Sequence, residues 1–138
     1  MVDSVSKEVR SRIMASVRQE NTKPELVVRS LLHRRGFRFR LHRKNLPGSP
    51  DILLQKYCVA IFVHGCFWHQ HSGCLLAKRP ASNTEYWNRK LDENIKRDKL
   101  NIRKLSRTGW GVLIIWQCET NNLITLQRKL KQFLKITQ

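Results

Sequence analysis

Apolar residues recur every three to four positions in four stretches of the chain. In four others they alternate or run unbroken, so the chain reads as helices interleaved with short strands. Ser4 to Arg18 carries Val5, Val9, Ile13 and Val17 or Ala15 at helical spacing between basic residues. Thr22-Lys23-Pro24-Glu25 opens a firmer helix: Thr22 fits the N-cap, Pro24 the first turn, and Glu25 the third position of a capping box. Leu26, Val27, Leu31 and Leu32 are expected to form its buried side and Gly36 ends it, so a structural role for Glu25 suffices. Phe37 to His42 alternates apolar and basic residues, which predicts a half-exposed strand with a cationic outer face. After a turn at Leu46 to Pro50, Asp51–Leu54 and Tyr57–Val63 read as two strands joined like a hairpin. The period of two puts Cys58, Ala60, Phe62 and His64 on one face, with Cys58 expected to be buried, and Val59, Ile61 and Val63 on the other.

Ser82-Asn83-Thr84-Glu85 repeats the capping pattern and opens a long helix to about Arg107. Its stripe is Trp87, Leu91, Ile95, Ile102 and Leu105, and Asp98 sits in the one gap, where an acid needs a partner. That partner is either one of the abundant Lys and Arg residues or a histidine, whose tautomer the carboxylate would fix. Val112 to Trp116 is the most apolar strand and is expected at the centre of a sheet. Cys118 follows, and from Asn121 a closing helix turns Leu123, Leu126, Leu130, Phe133 and Leu134 inward. The elements predict one α/β domain with a central sheet flanked by helices, residues 21–138, preceded by a basic helical arm over residues 1–20.

Charge gives this outline a partner. Lys and Arg total 27 against 10 Asp and Glu, a formal net charge of +17 in 138 residues. Positives occur in nearly every segment, which points to a polyanion, nucleic acid first, over an acidic membrane surface. No signal peptide and no membrane-length apolar run is present, so a cytoplasmic protein is expected. The Ser4–Arg18 helix is then either a solvated helix lying on the domain or an arm laid along DNA.

Val63-His64-Gly65-Cys66-Phe67-Trp68-His69-Gln70-His71-Ser72-Gly73-Cys74 concentrates three of the five histidines and two of the four cysteines. Cys66, His71 and Cys74, joined by Cys118 from a distant strand end, form a Cys₃His set suited to tetrahedral zinc. With no open position such a zinc is structural; a competing assignment exchanges His69 for His71. In the first assignment His64 and His69 remain free for acid–base work. Asp51, a lone acid after Pro50, is either a turn cap or a ligand for a hard cation such as Mg²⁺. Asp51, His64 and His69 thus make a candidate hydrolytic centre on a cationic surface. Phe67 and Trp68 are expected to stack or wedge between bases, and Trp87 either packs in the core or reaches a ligand.

These residues carry a family resemblance. Arg10-Ser11-x-x-Met14, Asn21 to Glu25, Leu46-Pro47-Gly48-x-Pro50-Asp51, Val63 to His69, Trp87 through Lys90 to Asn94-x-x-Arg97-Asp98, and Gly109 to Glu119 closely resemble the very-short-patch mismatch-repair endonucleases of bacteria. The resemblance implies a restriction-endonuclease-like α/β fold with a structural zinc site. It implies Mg²⁺-dependent nicking of double-stranded DNA, 5′ to the thymine of a T:G mismatch left by 5-methylcytosine deamination. In that reading Asp51 bridges Mg²⁺ ions and the Val63 carbonyl binds one. His69 is the general base, with His64 and Asp98 supporting it, and Glu25 holds metal-coordinated water. Phe67, Trp68 and Trp87 form an intercalating wedge, Met14 presses on the minor groove and Lys90 binds DNA. Cys66, His71, Cys74 and Cys118 hold the zinc. A monomer on the bacterial nucleoid, with mismatch-repair proteins as potential contacts, completes the expectation. Valine replaces the family's common threonine at 63, and Gln70 replaces a histidine. Two rivals stand: a related restriction-type endonuclease, and an inactive zinc-stabilised DNA-binding protein.

Overall fold

The computed structural model describes residues 20–137; the expected helical arm and Met14 lie outside the described residues. Helix α1 (Lys23–Arg34) starts as its sequence predicts: the Thr22 hydroxyl accepts the Glu25 N–H at 3.3 Å and Pro24 occupies the first turn. Only half of the capping box forms, because Glu25 Oε2 accepts from the Asn21 N–H rather than from Thr22. The Glu25 carboxylate instead turns inward and is 1 % exposed. Beyond α1 the chain reverses at Gly36, whose φ of +80 is the left-handed region glycine tolerates.

The alternating segment after Gly36 pairs for two residues only, as β1 (Arg40–Leu41), both exposed, while Phe37 and Phe39 tuck against the core. Strands β2 (Ile52–Leu54) and β3 (Val59–His64) form the expected antiparallel hairpin around a tight 3₁₀ turn at Gln55–Tyr57. Cys58 closes that turn in the left-handed region (φ 54) and is exposed, contrary to the burial its register predicts. The turn consumes Tyr57 and its exit consumes Cys58, so β3 begins two positions later than expected. Helix α2 (Thr84–Arg107) then crosses over to β4 (Gly111–Trp116), which pairs parallel with β3, and α3 (Leu123–Thr137) closes the chain. Asn83, not Ser82, occupies the N-cap of α2, at φ 52 and without a side-chain capping bond.

The sheet order is β1-β2-β3-β4, antiparallel except for the β3–β4 pair, so β4 is an edge strand and not central. It is apolar because both its faces are covered, as a crossover connection brings about. One face, with Leu113 and Ile115 of β4, packs on Val28, Leu31 and Leu32 of α1 and on Leu126, Leu130 and Leu134 of α3. The other, with Leu53, Ala60, Phe62, Val112 and Ile114, packs on Leu105 of α2 and on Leu46. Leu26 and Leu123, both expected inward, are each 47 % exposed, with Val28 taking the buried position on α1, and Ile95 and Ile102 are only half-buried.

The turn before β2 seats directly on this second layer. A Cβ on Gly48 (φ +76) would lie 3.0 Å from Asn101 Cβ and 3.1 Å from the Phe62 ring. Gly48→Ala therefore meets backbone strain and a clash together, and should lower stability by about 2–4 kcal/mol. Urea unfolding checks this; an unchanged midpoint would mean the turn lifts freely from α2.

Candidate active site and metal centre

Because β3 and β4 run parallel, their carboxyl ends open at one edge of the sheet, where α/β folds collect their sites. The last register pair there is His64 with Trp116. The chain turns sharply after His64, with backbone bonds from His69 to Gly65 and from His71 to Cys66, and this returns His69 over His64. Their rings stack at 3.7 Å with planes 5° apart. His69 Nδ1 lies 2.6 Å from Asp98 Oδ2, so the gap in the α2 stripe finds a histidine partner rather than Lys or Arg. An Asp98 carboxylate accepting the Nδ1–H leaves the Nε2 lone pair of His69 as the basic site.

His64 is 5 % exposed, and burial, then the neighbouring His69, pushes its pKa down to about 3. It is therefore neutral near pH 7, with a buried Nδ1 that has no partner among the described residues. Its pKa is depressed on folding, so between about 6.5 and about 3 the unfolded chain binds the proton and the folded one does not. Stability should fall on acidification through that window, by roughly 3–5 kcal/mol from this group. His64→Gln should flatten the urea-midpoint profile between pH 7 and pH 4; a profile identical to that of the unaltered protein would refute the assignment.

Across the cleft, Asp51 stands just before β2 and its Oδ2 accepts the Val63 N–H at 2.7 Å. Burial raises its pKa to about 7, the Val63 N–H opposes the rise, and the adjacent Glu25 carboxylate adds to it. Two facing carboxylates call for a proton or a cation between them. Glu25 also bonds Arg29, and His42 Nε2 lies 3.1 and 3.0 Å from its two oxygens. Arg29 and His42 went unnoticed in the sequence. Arg29 was visible as the i+4 neighbour of Glu25 on one helix face. His42 was hidden by reading it as the end of an exposed strand. An open cleft of about 900 Å³ joins Asp51, His64, His69 and Asp98, with Lys90, Arg97 and Lys44 on its walls.

Cys66, His71, Cys74 and Cys118 converge behind the histidines, their ligand atoms all within 4.8 Å of one another. His71 Nδ1 is 3.7 Å from Cys66 Sγ and 3.4 Å from Cys118 Sγ. Tetrahedral zinc bound by sulfur and nitrogen sets these edges at about 3.6 Å, so the donor set and spacing fit that ion. Without a cation, burial pushes the Cys66 thiol up to about 12 and raises that of Cys118, while N–H donation from Leu76 lowers that of Cys74. His69 stays on Asp98 and outside this set, against the competing assignment. The His71 ring stacks on Trp116 (4.3 Å, 7°), which also meets the His64 ring edge-on at 5.3 Å. Phe67, Trp68 and Trp87 form an aromatic cluster with centroids 5.2–6.0 Å apart. Trp87 lies at its base, 4 % exposed, while Phe67 and Trp68 are half-buried.

The fold is shared with the catalytic domain of the homing endonuclease I-Bth0305I, which superposes over 85 % of this chain and 98 % of its own, at TM-score 0.60 and 21 % identity. The family model of the DNA mismatch endonuclease Vsr matches residues 2–75. The type II nicking enzyme V.XorIIP of Xanthomonas oryzae pv. oryzae is 47 % identical, covering 97 % of this chain and 98 % of its own. The DNA mismatch endonuclease Vsr of Escherichia coli K12 is 42 % identical, over 86 % of this chain and 75 % of its own. The chain belongs to the Vsr family of DNA endonucleases. No helix among the described residues is long and apolar enough to cross a membrane.

Proposed function

We propose that this protein nicks one strand of duplex DNA on the 5′ side of the thymine in a T:G mismatch, with Mg²⁺ for the chemistry and zinc for the structure. The observation that carries the reading is the His69–Asp98 pair, its imidazole stacked on a neutral His64, facing Asp51 across a cleft that Lys44, Lys90 and Arg97 help to line. Asp51 and the Val63 carbonyl would hold the divalent ion, and Glu25 would orient its water. When bound, such an ion neutralises phosphate charge and makes its water more acidic. His69 Nε2 takes the proton from the attacking water, and Asp98 stabilises the imidazolium that results. His64 stays neutral against the ring face, so it adds no charge that would oppose this protonation. Phe67 and Trp68 stack at the distorted base pair while Trp87 supports them from below. Lys90 and Arg97 neutralise phosphates along the cleft. The reading includes a monomer acting on chromosomal DNA in the bacterial cytoplasm.

The name of one relative, the type II nicking enzyme V.XorIIP, specifies nicking but no mismatch, and so is equally compatible with a second reading, nicking at a defined matched site. End-labelled duplexes carrying T:G or C:G in varied flanks separate the two. One Mg²⁺-dependent nick 5′ to the mispaired thymine, absent in Asp51→Ala, is the expected result. Equal cutting of matched duplexes would replace it with site-specific nicking, and binding without any cutting would leave only a DNA-binding protein.

A further inference from the structure

The cluster beside Asp51 holds a side chain that the reaction above does not use. We propose that His42 is a nitrogen ligand of the divalent-metal site at Asp51, so that this site binds Mn²⁺ in preference to Mg²⁺. The inference rests on Asp51 being a metal carboxylate.

His42 reaches the cluster through its backbone. Its φ is 48, in the left-handed region that non-glycine residues rarely occupy, although histidine does so more often than most. Its N–H donates to the Asp51 carbonyl at 3.1 Å, which locks the bend to the residue it faces. The side chain is only 16 % exposed as a result. One ligand atom from each of Glu25, His42 and Asp51 lies within 4.8 Å of the others. Octahedral ligands about 2.1 Å from an ion stand at most about 4.2 Å apart, and a ligand atom of His42 and an oxygen of Asp51 lie within 4.8 Å of each other, so a shift of a few tenths of an ångström seats both on one ion.

The plainer reading is an ion pair, a protonated His42 between Glu25 and Glu20, whose Oε2 lies 3.8 Å from Nδ1. Arg29 weighs against it. Its Nη2 lies 3.3 Å from the same Nε2, so a protonated His42 would set one cationic donor against another. The two Nη2 hydrogens of Arg29 go elsewhere, to Asn21 Oδ1 at 2.6 Å and to Glu25 Oε2, while its buried Nε has no partner among the described residues. Arg29 bonds Glu25 through Oε2, so Glu25 Oε1 is left for His42 Nε2, beside Asp51. Glu20 Oε2, 3.8 Å from the far nitrogen, places a negative charge beside the ring without a hydrogen bond to it. Imidazole suits transition metals, whereas Mg²⁺ prefers an all-oxygen shell, so the added nitrogen favours Mn²⁺.

The test uses the full chain with its Cys/His site loaded with zinc and no DNA present. Free Mn²⁺ is counted by electron paramagnetic resonance, and Mg²⁺ competes. His42→Gln should weaken Mn²⁺ binding about tenfold or more while changing Mg²⁺ binding less than about threefold. Asp51→Asn should weaken both. Equal Mn²⁺ affinity in His42→Gln and the unaltered protein overturns the inference alone, whereas Mn²⁺ binding unaffected by Asp51→Asn overturns the metal role of Asp51 with it. In the unaltered protein, substoichiometric Mn²⁺ should broaden the His42 ring resonances before those of the exposed His33. A His42 ring that stays sharp overturns the inference whether or not the variant folds.

Discussion

His69→Ala is expected to bind a T:G duplex as the unaltered protein does and to nick it about 10²- to 10⁴-fold more slowly, the range that one positioned general base supplies. The expectation follows from the isolation of its Nε2. Asp98 holds Nδ1 at 2.6 Å and His64 covers one ring face, so the remaining nitrogen is the one aligned for proton transfer. Asp98→Asn gives the sharper version of the experiment. An amide keeps the shape, but its NH₂ can turn to Nδ1 and favour the tautomer that puts the proton on Nε2, and the rate should fall by about 10² or more for that reason. Single-turnover nicking beside a binding titration measures both. If Asp98→Asn kept full rate and an unshifted pH profile, the 2.6 Å contact would be an ion pair that catalysis ignores, and another base would have to be found.

Much of this centre was legible in the chain. Spacing assembled the Cys₃His set, since thiols and an imidazole that dense have no packing explanation. The break at Asp98 in the α2 stripe announced a buried-side acid in need of a partner, and the stretch rich in histidines supplied it. The sequence pattern misled where local cost was hidden from it. Periodicity places Cys58 inside, yet the tight 3₁₀ turn takes that residue for its own left-handed exit and leaves it exposed. Apolarity places β4 at the centre of the sheet, yet hydrophobicity reports how many faces are covered and is silent about strand order. Glu25 was the subtlest case. A capping-box glutamate and a site carboxylate have the same spacing, and only the turn of its side chain away from Thr22 separates them. His42 depends on a positive φ, which no pattern of residue types encodes.

Removing the metal from the Cys/His site is expected to abolish nicking altogether while most of the helical far-ultraviolet signal survives. The two effects separate because different parts of the molecule hold them up. α1, α3 and the sheet share a core of twelve buried residues, none of them from the loop after β3. That loop contains two buried residues, Cys66 and Pro80, so its own apolar contacts cannot hold one conformation. A structural zinc is worth about 10–16 kcal/mol in small zinc peptides, far more than this loop's packing supplies. Its loss reaches the catalytic pair along a row of rings: His71 against Trp116 at 4.3 Å, Trp116 against His64 at 5.3 Å, His64 against His69 at 3.7 Å. Cys118→Ser or a chelator should therefore release zinc, shift tryptophan fluorescence and eliminate activity together. Trp116→Ala should leave zinc at one equivalent and still slow nicking at least about tenfold, because His64 and His71 lose the ring between them. Full nicking by Cys118→Ser protein shown to be zinc-free would sink the structural role. Full nicking by zinc-loaded Trp116→Ala would sink only the row of rings, leaving the metal to act by folding the loop alone.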